Sequence, residues 1–239
     1  MRITVEQLLQ QYAIGERDFS GVDLSEADLS GAVWDKYENP MGATDLNGIN
    51  LSQSKLRRSR LVGINFSGAN LSGADLIDAK LSCADLSGAD LSRANLINTD
   101  LIRAKLIRTN LRGSDLGGAD LTEASFCDAI LEDANLRYCK MRDAKFSRAN
   151  LRNSGLDSAL LLRTDFGDAN LSGADLYSTY VKDANWRGVN LSNAMLDCAV
   201  FEQVDLTNAD LTGAWDADVD SCILFNTIMP DGGMVSNNL

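Results

Sequence analysis

Apolar residues return along this chain at every fifth position. From Ala69 to Leu91 it reads ANLSGADLIDAKLSCADLSGADL, with leucine at 71, 76, 81, 86 and 91. An amphipathic helix needs a period of 3.6 and a half-buried strand a period of two, so five is neither. From Leu46 to Leu211 the frame runs through 34 consecutive units without a slip. With the recurring leucine as position i, 26 of the 34 are leucine and the rest are Phe66, Phe126, Met141, Phe146, Phe166, Val181, Trp186 and Phe201. A position that never takes a polar residue is buried throughout. Position i−2 is alanine in 20 of 34 units and otherwise Thr, Ser, Ile, Val or Cys, so it faces inward with less room. Position i−1 is Asp or Asn in 21 of 34, and i+1 and i+2 are mostly Ser, Thr, Gly, Asp and Arg, which face water.

A short extended piece followed by a turn places i and i−2 inward, and stacked turns of chain pair their backbones at about 4.8 Å. The pattern A-(D/N)-L-x-x resembles the pentapeptide repeat family, and the resemblance covers nearly the whole chain. It implies an all-β fold, a right-handed quadrilateral β-helix in which each unit is one side and four sides make a 20-residue coil. Glycine at i+2 in ten of 34 units suits corners that need positive φ. Residues 20 apart then share a face. Leu46, Phe66, Leu86, Leu106, Phe126, Phe146, Phe166, Trp186 and Leu206 are one such set, and five of these nine are aromatic, which predicts a ring stack at coil spacing. Asn50, Asn70, Asn110, Asn150, Asn170 and Asn190 form a second shared face.

Two changes of frame divide the chain. Phe19, Leu24, Leu29 and Trp34 form a coil in a different phase. Trp34 to Met41 is seven residues, two more than a unit, so a surface loop is expected at 35–40, where Pro40 suits a loop better than a ladder. Leu211 to Val219 is eight residues, three more than a unit, so a second loop is expected at 214–216. The expected order is a capping helix at 1–16, a first coil at 17–34, the loop at 35–40 and the main solenoid at 41–213. The loop at 214–216, terminal repeats at 217–230 and a tail at 231–239 follow, with the tail frayed beyond Pro230. At ten or so coils the rod is roughly 50 Å long.

A solenoid end is an unpaired edge and needs cover. Thr4 with Gln7 has the form of a capping box, and Val5, Leu8, Leu9 and Tyr12 fall at i, i+3, i+4 and i+7. A short amphipathic α-helix over 4–13, stopped by Gly15, is predicted to lie over the first coil. This arrangement is similar to single-domain cyanobacterial members of the family, and MPDG at 229–232 looks like their terminal segment.

Composition narrows the chemistry. The 239 residues include no histidine, which removes the commonest general base and metal ligand and any Ser-His pair. Lys80, Lys105, Lys140 and Lys145 occupy outward i−1 positions, and the many carboxylate pairs are generated by the repeat itself. No Walker or GxGxxG motif occurs. The five cysteines, Cys83, Cys127, Cys139, Cys198 and Cys222, are odd in number and contain no CxxC, so reduced thiols are expected rather than a disulfide framework or zinc site. The chain is therefore read as a non-enzyme with no catalytic residue, no cofactor and no metal. It has no signal-peptide pattern and no 18-residue apolar run, so a cytoplasmic protein without a membrane span is expected.

Net charge is −12, and it sits at the ends. Residues 1–45 hold 3 basic and 9 acidic groups, residues 46–199 hold 19 and 18, and residues 200–239 hold none and 7. The family resemblance implies that some members mimic duplex DNA and bind gyrase or another type II topoisomerase. Such a mimic is acidic along its shaft, whereas this shaft is near neutral, with basic clusters at Lys55, Arg57, Arg58 and Arg60 and at Arg137, Lys140, Arg142, Lys145, Arg148 and Arg152. Topoisomerase binding is disfavoured on this ground, and nucleic-acid binding by the scarcity of aromatics to stack bases. The favoured reading is a protein-interaction scaffold or regulator with an unknown protein partner. Its candidate surface is where outward positions turn apolar: Leu160, Leu162, Tyr180 and Val200 on one face, with Tyr177 near the adjacent corner. Ile77, Ile97 and Ile102 form a weaker cluster. Asp216, Asp218 and Asp220 oppose a symmetric junction through the C-terminal end, so a monomer is expected.

Overall fold

The computed structural model describes residues 2–30, 33–34, 40–41, 44–216 and 218–235. Its backbone is a stack of four-sided coils. Parallel bridges recur every five residues and join positions 20 apart, as in Asp45↔Asn65↔Asp85↔Lys105, and the same order holds on the other three sides. Every position i from Leu46 to Leu211 is buried, and the alanines at i−2 fill the remaining interior. The predicted ring stack is present. Phe126, Phe146 and Phe166 lie nearly parallel with centroids 4.7 Å apart, Trp186 tilts onto Phe166 at 4.9 Å, and Phe201 meets Trp186 edge-on at 5.5 Å. The centroid spacing is that of neighbouring strands, so the coil itself sets the stacking distance.

Position i−1 has a reason to be Asp or Asn. Its side-chain oxygen accepts the backbone N–H two residues on, as in Ser52→Asn50 at 3.1 Å and Ser92→Asp90 at 2.9 Å. That local bond ends each short extended piece and starts the corner. Asparagine amides also donate to the carboxylate one coil before, as in Asn65→Asp45 and Asn135→Asp115, both 2.8 Å. On the predicted asparagine face Asn110 donates to Asp90 at 3.0 Å and Asn170 to Asn150 at 3.5 Å. Every corner places i+2 at positive φ, whether the residue is Gly63 (φ 68), Arg103 (φ 58) or Tyr138 (φ 61). Glycine is therefore the relaxed choice at a position that the fold fills with any residue.

Helix α1 spans Val5–Ala13. Thr4 Oγ1 accepts the Gln7 N–H at 3.1 Å while Gln7 Oε1 accepts the Thr4 N–H at 3.0 Å, so both halves of the capping box form. Leu8 is buried in the core, with Val5 and Tyr12 packed beside it, and the Tyr12 hydroxyl donates to the Asn47 carbonyl at 2.9 Å. Leu9, expected on this face, is exposed.

The two changes of frame have different geometries. Asp18, Asp23 and Asp28 pair with Asn50, Lys55 and Arg60, a step of 32 where a coil needs 20. The intervening excess is larger than the two residues suggested by the Trp34–Met41 spacing, because the chain leaves the coil as a hairpin. β1 (Val33–Trp34) runs antiparallel to β2 (Pro40–Met41), with Pro40 opposite Trp34. Most of the loop expected at 35–40, residues 35–39, lies outside the described residues. At the other end Ala214 is buried and Trp215 still pairs with Met195, so the ladder continues through the place where a loop is expected. Beyond it the step falls to 18, with Asp205↔Ile223 and Asp210↔Ile228. Eight residues from Leu211 to Val219 are thus two short of two units, and Val219 takes the next buried place.

Among the described residues, three sides of the coils form parallel strands longer than one bridge. β3 (Leu160–Leu162), β4 (Tyr180–Lys182) and β5 (Val200–Glu202) make a parallel sheet with Leu160↔Tyr180↔Val200 in register. β6 (Thr227–Ile228) pairs antiparallel with β7 (Met234–Val235). The fraying expected after Pro230 is corrected as far as Val235. Gly232, at φ 85, and the Gly233 N–H bonded to Asp231 Oδ1 at 2.8 Å turn the chain back on itself.

Candidate functional surface

The β3–β5 sheet carries the residues singled out in the sequence. Their i−1 positions hold Leu, Tyr and Val, which offer no side-chain acceptor for the N–H at i+1, and Tyr and Val favour extended backbone. The turn bond from i+3 to i, made by Ala144→Met141 at 3.1 Å and Ala169→Phe166 at 2.9 Å, has no counterpart after Leu161, Val181 or Phe201. The chain accordingly stays extended for three residues on three successive coils, and the face is a small sheet.

Leu160 and Val200 are 47% and 46% exposed, with half-buried Tyr180 between them in the same ladder. These are outward side chains that the interior does not use. Leu162 is half-buried and stands in register with Lys182 and Glu202. Tyr177 is 49% exposed on the preceding corner, and its N–H donates to Asp175 Oδ1 at 3.0 Å. The sheet has one polar fixture. Glu202 Oε2 accepts from Lys182 Nζ at 2.8 Å and from the Tyr180 hydroxyl at 3.0 Å. The bond from Lys182, then that from Tyr180, holds the Glu202 carboxyl below its ordinary range, and the bond to the Glu202 carboxylate raises Lys182.

Sequence reasoning missed part of the apolar surface. Met195 and Trp215 pair on the adjacent face, and Trp215 is 69% exposed. Met195 was legible by the rule that found Leu160, since it is apolar at i−1. Trp215 is hidden in the sequence because the leucine frame stops at Leu211. Ile130 is a further exposed apolar residue on another side of the coil, and Tyr138 is one on the same corner as Tyr177.

Charge is largely neutralised in place along the shaft. Arg148 grips Asp128 through two bonds of 2.8 and 2.9 Å, and Arg163 grips Asp143 through two of 2.7 Å, each pair spanning one coil. Arg57, Arg60, Arg137 and Arg152, members of the basic clusters, also have carboxylate partners within 3.6 Å. Among the described residues no group of Cys, Asp and Glu is arranged to hold a metal ion, and no helix is long and apolar enough to cross a membrane. Cys139 is buried, its thiol pushed up to about 12 by desolvation, and its Sγ lies 3.1 Å from the Leu116 carbonyl.

A family model described as pentapeptide repeats matches 8 copies, over residues 44–82, 79–118, 114–153, 149–185 and 174–213. Among solved structures, HetL, a pentapeptide repeat protein involved in heterocyst differentiation regulation from the cyanobacterium Nostoc sp. strain PCC 7120, is 32% identical. The match covers 98% of this chain and 100% of that chain, with a TM-score of 0.45. A trypsin-treated variant of QnrB1, a plasmid-mediated fluoroquinolone resistance protein, is 22% identical over 78% of this chain and 91% of that chain, with a TM-score of 0.43. Rfr23, a pentapeptide repeat protein from the cyanobacterium Cyanothece 51142, is 26% identical over 62% and 97%, with a TM-score of 0.21. No curated protein matches the chain.

Proposed function

Since this chain belongs to the pentapeptide repeat family, we propose that it is a non-enzymatic protein-interaction scaffold or regulator acting in the cytoplasm as a monomer. The coil is right-handed in this reading, and α1 caps its N-terminal end. The observation that carries the reading is the outward apolar ladder Leu160–Tyr180–Val200, flanked by Leu162 and Tyr177, on the parallel sheet β3–β5. Burial in this fold is already satisfied by i and i−2, so an outward apolar ladder adds nothing to the core. HetL, for its part, is involved in regulating heterocyst differentiation.

The test is capture of a partner from the native cell on immobilised protein, followed by mass spectrometry. Leu160→Asp combined with Tyr180→Asp is expected to keep the far-UV spectrum and melting temperature while losing the captured partner. Capture unchanged in the double variant removes this surface from consideration. Topoisomerase mimicry draws only on the charge of −12, and the paired cations of the shaft oppose it. Protection of gyrase supercoiling against a fluoroquinolone would reverse that ranking.

A further inference from the structure

The chemistry beside the leucines says what kind of segment would fit there. Thr122, Lys140, Met141, Arg142, Leu160 and Leu162 line a shallow cleft of about 200 Å³. Lys140 pairs with Leu160 in the ladder, and the Met141 and Asp143 N–H groups donate to the Leu160 and Leu162 carbonyls at 3.0 and 2.9 Å. Two cations at 140 and 142 therefore stand one coil before two leucines at 160 and 162. Both cations are exposed. Neither has a carboxylate within ion-pair distance among the described residues, unlike Arg148 and Arg163 nearby. Asp120 precedes Lys140 in the ladder, and Asp143 feels the Arg142 charge, so each cation has a carboxylate nearby without being ion-paired to it.

We propose that this face takes an extended segment of a partner protein with the pattern acidic-x-apolar-x-apolar. Its carboxylate sits between Lys140 and Arg142, and its two apolar side chains lie on Leu160–Tyr180 and on Val200. The dimensions agree. Residues 140 to 200 span three coil steps, about 14 Å, and residues i to i+4 of an extended chain span about 13 Å with i, i+2 and i+4 on one face. The cations fix register and direction, with the acid toward the N-terminal side of the rod, and the apolar ladder supplies buried area.

This inference rests on reading the β3–β5 face as a partner surface, and the experiment separates the two. A displayed library of random dodecapeptides is selected on the full-length protein, and the recovered peptides, fluorescein-labelled, are titrated by anisotropy. The expected result is enrichment of an acid two residues before an apolar position. Lys140→Ala with Arg142→Ala should weaken binding by about tenfold and flatten its salt dependence, and Leu160→Asp with Tyr180→Asp should abolish binding. Peptides that need Leu160 and Tyr180 but carry no acid, or ignore the loss of Lys140 and Arg142, overturn the inference and leave the surface standing. Peptides indifferent to Leu160 and Tyr180, or a library that yields no binder, overturn both.

Discussion

Two ladders run along neighbouring sides of the same coils. The inner one stacks Phe126, Phe146, Phe166 and Trp186, and the outer one stacks Leu160, Tyr180 and Val200. Both are apolar and both repeat at 20, yet they differ in what requires them. The inner ladder fills the space between the walls, and removing a ring leaves a void. The outer ladder is exposed or half-buried and closes no cavity. Apolar side chains that the fold does not need are the ones on which the proposed partner surface rests.

The largest way to separate the ladders is to cut the inner one. Phe146 stacks on a ring in both directions at 4.7 Å and is fully buried. Phe146→Ala should cost about 3–5 kcal/mol, from lost transfer energy and an uncollapsed cavity between rigid coils. Chemical denaturation measures this, and a loss under about 1 kcal/mol would show that the stack is not structural.

A smaller effect of opposite sign comes from an interior polar group. Ser59, Ser114 and Ser154 at i−2 donate to carbonyls of their own turn at 2.6–2.7 Å. Ser54 occupies the same kind of place, but its Oγ is the one buried side-chain polar atom among the described residues without a hydrogen-bond partner. Alanine is the commonest residue at i−2. Ser54→Ala should therefore stabilise the protein by about 1 kcal/mol, a rise of about 2–4 °C in melting temperature. Ser154→Ala, which loses a 2.7 Å bond, should give no such rise. Equal effects at both positions would sink the argument.

The inner ladder was legible because burial at a fixed period leaves no freedom. Position i excludes polar residues, and aromatics recurring at a spacing of 20 imply the ring stack. The outer ladder was legible as an exception, since Leu160, Tyr180 and Val200 break an i−1 rule kept by 21 of 34 units. What escaped lay in the backbone. The ten glycines at i+2 point to positive φ at the corners, but not to Arg58, Asp78 and Arg103 adopting it at the same position, as they do. The 32-residue step came from a hairpin that spacing alone does not encode. The 18-residue step was misplaced because a short side and a long one give the same residue count between leucines. Trp215 was lost with it, and so was the continuation of the apolar surface onto the next face.

The smallest predicted effect concerns pH, and it again divides the ladders. The inner ladder contains no titrating group. The outer one is tied to Glu202, which accepts from Lys182 and Tyr180 and whose carboxyl is lowered from an ordinary value of 4.5. A carboxyl lowered by folding adds stability above its unfolded value, and that stability is lost as pH falls through the folded value. The group is solvent-exposed, so screening keeps the contribution small. Thermal melts of wild type and Glu202→Gln, compared from neutral pH downward, should differ slightly above 4.5 and converge below the folded value. With Glu202 protonated, Lys182 loses its charged partner and Tyr180 its charged acceptor. The outer sheet loosens while the ring stack behind it keeps its melting behaviour. A difference that stays constant across that range would show that Glu202 does not fix Tyr180 in place.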